Sequence, residues 1–453
     1  MNPANNQVSV EEMLEARDMR VAQQQALLRK YTKTLICFTM NIPGPVKVTP
    51  LVKQGFIAGC RAIQKSLADM HAAVLFQKFT HEKTGLEAFF VVDKKAREIK
   101  ASMVKIENAD NLGRLMDIDV LQGNGEKISR EELGMSGRLC MVCSKPAQEC
   151  ARSRAHSLDV LTKHVHKVLT ESLLTQVGAF AEEALLAEVE ATPKPGLVDL
   201  ANNGAHKDMS YETFVASTKA IVPYLREMAA KGMEWDGSAE QLFLNIRHIG
   251  AAAEKAMFAA TNNVNTHKGI IFSLGIVITF SMWYFKEHGK FDSEAILLLC
   301  GEATQDILDK DFAHIDKYHP HTHGEKLYVK YGCKGIRGEV QDGFKPVREL
   351  ALPQLRSLMA KHTDSNLAYI QTLLLLMSTV EDSNILIRTS PEMLTYAQAK
   401  AGEILQGGGA LTDKGLQQVW DLNTDFVEKN MSPGGSADLL IITIFMWKLE
   451  QLK

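Results

Sequence analysis

Several features common in other protein classes are missing from this chain. There is no basic excess: 51 Lys and Arg stand against 54 Asp and Glu, a formal net charge of −3. A general nucleic-acid binder, which needs a cationic face to neutralise phosphates, is therefore not expected, although local basic clusters can still hold a nucleotide. The opening stretch MNPANNQVSVEEMLEARDMR lacks the apolar core of a signal peptide, and Glu11, Glu12 and Glu15 are unlike a transit peptide, so a cytoplasmic location is expected. No apolar run is comfortably long enough to cross a bilayer. The longest, 269–285, is interrupted by Ser273, Thr279 and Ser281 and is expected to be a buried core helix, with no membrane partner. Internal repeats and low-complexity linkers are also absent. Cysteines number seven, an odd count, and three fall between positions 140 and 150, which suggests thiol or metal chemistry before a disulfide framework.

What is present is an ordinary globular composition, 45% hydrophobic and 23% charged, over 453 residues, a length that implies more than one domain. The first part reads as mixed α and β. Good helix formers occupy 11–30, a Pro/Gly break follows near 41–45, and a second helix is expected at 51–71. Strands are expected at 89–93, 99–106 and 115–121, the first two paired. Beyond Glu171 helical periodicity dominates, with helices expected at 171–190, 211–230, 241–260, 268–287, 293–309, 366–380 and 436–450. The expected architecture is therefore multidomain: an N-terminal α/β domain over 1–170 followed by an all-α domain over 171–453.

Two stretches of the first domain carry chemistry. In Leu115-Met-Asp-Ile-Asp-Val-Leu121 the period-two geometry of a strand puts Asp117 and Asp119 on one face, about 7 Å apart. Such a pair can hold Mg²⁺ against a polyphosphate; two solvated surface acids are the plain alternative. Asp93 and Glu107 read as surface charges, with a third carboxylate ligand as the less ordinary role. Cys140, Cys143, Cys150 and His156 have the residue types of a tetrahedral zinc site. Their spacing is not a common finger pattern, and buried free cysteines in a core are the more usual reading. Arg138, Arg152 and Arg154 suit phosphate, or form a solvated basic face.

In the second domain, polar loops interrupt apolar helices. Thr192-Pro-Lys-Pro-Gly196 places Lys194 in a stiff turn, and Asp199, Asn202, Asn203, His206 and Asp208 crowd the segment after it. Asn263-Val-Asn-Thr-His-Lys-Gly269 and Ser432-Pro-Gly-Gly-Ser-Ala-Asp438 each lead into an apolar helix, whose start offers unpaired N–H groups to an anion. Glu381, Asp382 and Asn384 close another apolar helix, where a bound cation would relieve the clash with its dipole. His319, His321 and His323 alternate in a loop and read as solvated, or as a substrate contact, more readily than as metal ligands.

These motifs carry two resemblances. Met40-Asn-Ile-Pro-Gly-Pro-Val-Lys47, Gly113-Arg-Leu-Met-Asp-Ile-Asp-Val120, Ile128-Ser-Arg-Glu-Glu-Leu-Gly134 and the Cys/Arg/His run resemble apo-citrate lyase phosphoribosyl-dephospho-CoA transferase. The resemblance implies a nucleotidyltransferase-like domain that passes a phosphoribosyl-dephospho-CoA group to a serine of the apo acyl carrier subunit of citrate lyase and releases pyrophosphate. Under it Asp117 and Asp119 hold Mg²⁺; that Arg114, Arg138, Arg152 and Arg154 meet the triphosphate is our own expectation from their charge. TPKPGLVD, GAHKDM, NTHKG, THGE, GIRGE, EDSN and NMSPGGSADLL together resemble triphosphoribosyl-dephospho-CoA synthase. That implies ATP and 3′-dephospho-CoA as substrates: the 2′-hydroxyl attacks the ribose carbon bearing adenine, and adenine leaves.

The expected phosphate contacts are Lys194, Lys268, Ser432, Gly434, Gly435 and Ser436. Magnesium is expected on some of Asp208, Glu254, Asp382 and Asp438, with Glu188 or Asp208 as the base. A malonate decarboxylase maturation enzyme is the alternative within the same class. A zinc-stabilised nucleotide-binding regulator is the alternative outside it.

Overall fold

The structure, a computed structural model, describes residues 6–143 and 145–452. The chain divides into two compact units, Met1–Leu173 and Leu174–Lys453, and the division falls inside the long helix Leu158–Glu190.

The first unit is built on one antiparallel sheet of β1 (Thr34–Met40), β2 (Ala73–Glu82), β3 (Gly85–Asp93) and β4 (Met116–Leu121), in the order β2-β3-β1-β4. The two central strands are buried on both faces, which explains the continuous apolar runs TLICF and AFFVV. Leu35, Cys37, Phe89 and Val91 pack with Leu27 and Leu28 of helix Val10–Tyr31. On the opposite face, Phe38 stacks at 5.0 Å on Phe56 of helix Pro50–Asp69. The strand expected at 99–106 is instead part of helix Ala96–Ala109. Its buried positions, Ala96, Ile99, Lys100, Met103, Val104 and Glu107, recur every three or four residues, a period that the short apolar run left ambiguous. The strand that pairs with β3 on its other edge is β2, whose apolar start Ala73-Val-Leu-Phe76 does not alternate and whose side chains are mostly exposed.

β4 is an edge strand antiparallel to β1, with Asp117 opposite Thr39 and Asp119 opposite Cys37. Met116, Ile118 and Val120 are buried while the two aspartates face outward, the alternation expected of the strand.

The second unit is helical, with no strand among the described residues. Helix Lys268–His288 is its apolar axis; it is long and apolar enough to span a membrane by composition, and 72% of its most apolar window is buried inside the protein. Gly232 of helix Tyr211–Glu234 lets the two backbones close up, since a Cβ there would sit 2.1 Å from the Thr279 carbonyl oxygen. Helix Gly434–Glu450 is almost wholly apolar after its first turn and buries Leu439, Leu440, Ile442, Ile444 and Phe445. Core helices of this kind leave their polar residues at their ends, and several of those ends meet at one cleft.

Candidate functional site

A cleft of about 230 Å³ in the second unit gathers residues from distant parts of the chain. Glu188 comes from the last turn of helix Leu158–Glu190, and Lys194 and His206 from the loop after it. His267, Lys268 and Gly269 open helix Lys268–His288; Ser432, Gly434, Gly435 and Asp438 span the start of helix Gly434–Glu450; Asn384 and Arg388 belong to the short helix Ser383–Arg388.

The floor is charged although it is shielded from water. Lys194 is 1% exposed and Glu188 3% exposed. The Lys194 ammonium donates to Glu188 Oε1 at 2.5 Å and to the Glu188 carbonyl at 2.6 Å. The turn holding Lys194 is braced by Asp199, which accepts from the Lys194 N–H at 3.0 Å and from the Ala201 and Asn202 amides. Gly196 takes a left-handed φ of 70° and donates to Asn423 Oδ1 at 2.9 Å. Asp438 lies in the same cleft, and burial, followed by the nearby charges of Glu188 and Asp382, holds its carboxyl well above the usual carboxylate range. A Cβ on Gly269 would lie 2.3 Å from Asp438 Oδ2, so the helix start approaches this carboxylate because residue 269 has no side chain. Asp382 is buried too, and burial pushes its carboxyl up. Its oxygens accept from the Ser436 amide at 2.8 Å and hydroxyl at 3.0 Å, and from the amides of Asn384 and Ile385.

Two histidines that sequence reasoning gave no role occupy the walls. Thr266 donates to the Ser217 hydroxyl at 2.7 Å, leaving that hydroxyl to donate to His267 Nδ1 at 2.7 Å. This relay makes Nδ1 the acceptor and leaves the proton on Nε2, a buried atom with no protein partner. Burial and the Lys194 charge lower the His267 pKa to about 3, so the ring is neutral. His206 Nε2 lies 2.8 Å from the Ser432 hydroxyl, and burial with the adjacent Arg388 guanidinium lowers its pKa to about 4. Arg388 in turn donates to the Ala205 carbonyl at 2.6 Å and to Asn430 Oδ1 at 2.7 Å, tying the two loops together. His267 lies within the motif NTHKG, whose lysine and helix start point to phosphate and give no local sign of the histidine's place.

Other expected residues lie elsewhere. Asp208 is exposed, 4.0 Å from His206 Nδ1, and does not line the cleft. Glu254 pairs with Lys268 at 3.0 Å and lines a second, neighbouring cavity of about 160 Å³. His319 and His321 sit on an exposed loop, and His323 begins helix His323–Tyr331. In the GIRGE segment, Ile336 lines the cleft, while burial and then Asp342, Asp382 and Glu381 raise Glu339 to about 7.

In the first unit, Asp117 and Asp119 line a pocket of about 450 Å³ with Lys127, Arg130, Arg138 and Gln148. Arg138 lies 3.3 Å from Asp117, and Lys127 lies 2.6 Å from Asp119. Glu107, read from the sequence as a surface charge, is buried at the base: it accepts from the Ile118 amide at 2.9 Å, from Arg138 at 2.5 Å and from Arg130. It fixes both guanidinium groups beside β4. Arg114, Arg152 and Arg154 are exposed and do not line this pocket. The Cys140, Cys143, Cys150 and His156 ligand atoms come together within 4.8 Å of one another.

Comparison with known proteins assigns each unit a counterpart. Residues 174–453 match the family described as CitG: ATP:dephospho-CoA triphosphoribosyl transferase, and residues 8–172 match CitX: apo-citrate lyase phosphoribosyl-dephospho-CoA transferase. Two relatives called Protein CitXG, from Leuconostoc mesenteroides subsp. cremoris and Haemophilus influenzae, are each 34% identical to it. Each alignment covers 97% of this chain and 96% of the relative. A probable 2-(5''-triphosphoribosyl)-3'-dephosphocoenzyme-A synthase of Vibrio cholerae is 42% identical over 284 residues, 62% of this chain and 91% of that protein.

Proposed function

The chain belongs to the ATP:dephospho-CoA triphosphoribosyl transferase family, fused behind a phosphoribosyl-dephospho-CoA transferase unit, and from that premise we propose how its two sites make and attach the prosthetic group of citrate lyase. It is a bifunctional transferase. The second unit joins ATP to 3′-dephospho-CoA with loss of adenine, and the nucleotidyltransferase-like first unit passes the phosphoribosyl-dephospho-CoA group to a serine of the apo acyl carrier subunit with loss of pyrophosphate. Both steps run in the cytoplasm.

The observation that carries the synthase reading is the meeting of the Glu188–Lys194 pair, Asp438 and two long-helix N-termini in one cleft. ATP serves here as a ribosyl donor, so its triphosphate must be held while charge develops at the ribose carbon. Helix starts at Lys268 and Gly434, with the Lys268 ammonium, favour the phosphates. Glu188 and Asp438 are placed to stabilise the oxocarbenium-like carbon, and Glu188, oriented by Lys194, takes the proton of the attacking 2′-hydroxyl. The neutral His267, its Nε2 proton unused by the protein, donates to the departing adenine or to a phosphate oxygen.

Magnesium suits both sites. Asp438 is a buried carboxyl whose ionisation a divalent cation would favour, with Asp382 behind it at the same helix start. Asp117 and Asp119 present carboxylate oxygens outward into one pocket. When bound, the ion would neutralise polyphosphate charge. Arg130 and Arg138, clamped by Glu107, would meet the triphosphate in the first unit.

The proposal is tested by giving the protein Mg-ATP, 3′-dephospho-CoA and apo acyl carrier protein from citrate lyase. Mass spectrometry should show the carrier heavier by one phosphoribosyl-dephospho-CoA group, with pyrophosphate formed in equal amount. Loading of a malonate decarboxylase carrier in its place would redirect the first unit's assignment.

A further inference from the structure

Between Arg138 and Ser157 the chain reverses twice. Leu139 and Pro146 form an antiparallel bridge, tightened by hydrogen bonds from the Cys140 amide to the Lys145 carbonyl and from the Ala147 amide to the Arg138 carbonyl, both 2.8 Å. This turn presents Cys140 and Cys143. Helix Ala147–Ser153 presents Cys150, Arg154 then takes a left-handed φ of 50°, and the Ala155 amide donates to the Cys150 carbonyl at 3.0 Å, which returns the chain so that His156 faces the thiols.

Three sulfur atoms and one imidazole nitrogen thus converge within 4.8 Å, and the Cys143 and Cys150 sulfurs are 3.5 Å apart. His156 Nε2 is buried and has no hydrogen-bond partner, although an unpaired buried nitrogen is costly unless something occupies its lone pair. A tetrahedron with Zn–S bonds of about 2.3 Å has vertices about 3.8 Å apart, so the widest separation needs to close by only about 1 Å. A set this tight fits a single ion; a two-iron cluster would spread its ligands over two metal centres. The four protein ligands leave no open position, which is the arrangement of a structural site.

We propose that Cys140, Cys143, Cys150 and His156 bind one structural zinc ion, which fixes the wall of the first unit's pocket formed by Arg138, Pro146, Ala147 and Gln148. The metal content is independent of the transferase reading; the wall-positioning role rests on it.

Full-length protein would be assayed for zinc by plasma mass spectrometry, and its metal exchanged for Co²⁺. The expected results are about one zinc per chain, released by a thiol-specific mercurial, and a Co²⁺ form with the visible bands of a tetrahedral sulfur-rich site. Zinc far below stoichiometric even after growth with added zinc, an octahedral Co²⁺ spectrum, or a Cys143–Cys150 disulfide found by peptide mass would overturn the site. Cys150→Ala should lose the metal, whereas Cys60→Ser, outside the cluster, should keep it. For the positioning role, metal-depleted or Cys150→Ala protein should lose carrier loading by roughly tenfold or more and still release adenine at the normal rate, which reports that the second unit is folded, while strand content by circular dichroism, carried among the described residues by the first unit alone, reports on the first. Loading unchanged by metal loss would overturn that role.

Discussion

Removing the Lys194 ammonium separates two effects that the cleft combines. In Lys194→Met the side chain keeps its bulk, but Glu188, 3% exposed, loses the partner at 2.5 Å that offsets its buried charge. Breaking a buried ion pair from one side costs about 3–5 kcal/mol. For a unit of this size that corresponds to a fall in Tm of roughly 6–10 °C. Adding Glu188→Gln removes the stranded charge, so Lys194→Met/Glu188→Gln should regain at least half of the loss, and the double-mutant cycle should show strong coupling. Adenine release should be abolished in both variants, because the double variant restores folding without restoring a carboxylate. Calorimetry and an adenine assay on the single and double variants decide the matter. A double variant whose destabilisation equals the sum of the singles would refute the buried pair, and one that keeps full adenine release would refute its role in the reaction.

The His206 ring predicts a pH effect on stability. Its folded pKa of about 4 lies below the ordinary 6.5, so between these values the unfolded chain binds a proton that the folded one resists. Stability therefore rises with pH through this window and is lost on acidification, by an amount of the order of 3 kcal/mol. His206→Gln should flatten that part of the profile in chemical denaturation at pH 4.5 and 7.5; an unchanged slope would contradict it. Gly269→Ala introduces a Cβ 2.3 Å from Asp438 Oδ2 and should displace that carboxylate, lowering kcat for adenine release with the fold retained by circular dichroism. Asp117→Asn should cut carrier loading by roughly a hundredfold while adenine release proceeds normally, because Asp117 lines only the first unit's pocket.

Much of this was legible in the sequence wherever local periodicity decides structure. The Asp117/Asp119 strand, the long apolar helices and the change to all-helical character past Glu171 follow from side-chain period alone. Strand β2 begins with the run Ala73-Val-Leu-Phe76, whose apolar side chains do not alternate and are largely exposed, so it lacks the in/out period of a half-buried strand, and 99–106, expected as a strand, is a helix whose buried set 96, 99, 100, 103, 104 and 107 shows the helical period. The motifs of the second unit identified the loops that form the cleft, but not the pairing within them. Glu188 and Lys194 are six residues apart, yet they bond because Thr192-Pro-Lys-Pro-Gly196 folds the chain back on the helix it leaves. His206 with Ser432 and Gly196 with Asn423 join positions more than two hundred residues apart, which no local spacing encodes. Asp208 and Glu254, acids near these motifs, do not line the cleft themselves but each lies beside a residue that does, and Glu107, which reads from the sequence as a surface charge, anchors two arginines.

The most direct test of the account is to incubate the full-length protein with Mg-ATP and 3′-dephospho-CoA and to follow the products by chromatography with mass detection. Free adenine and the triphosphoribosyl adduct of dephospho-CoA should appear in equal amounts, with Glu188→Gln giving neither. Folded, ATP-binding protein that releases no adenine, or that releases ADP or AMP in its place, would contradict the assignment of this cleft to ribosyl transfer.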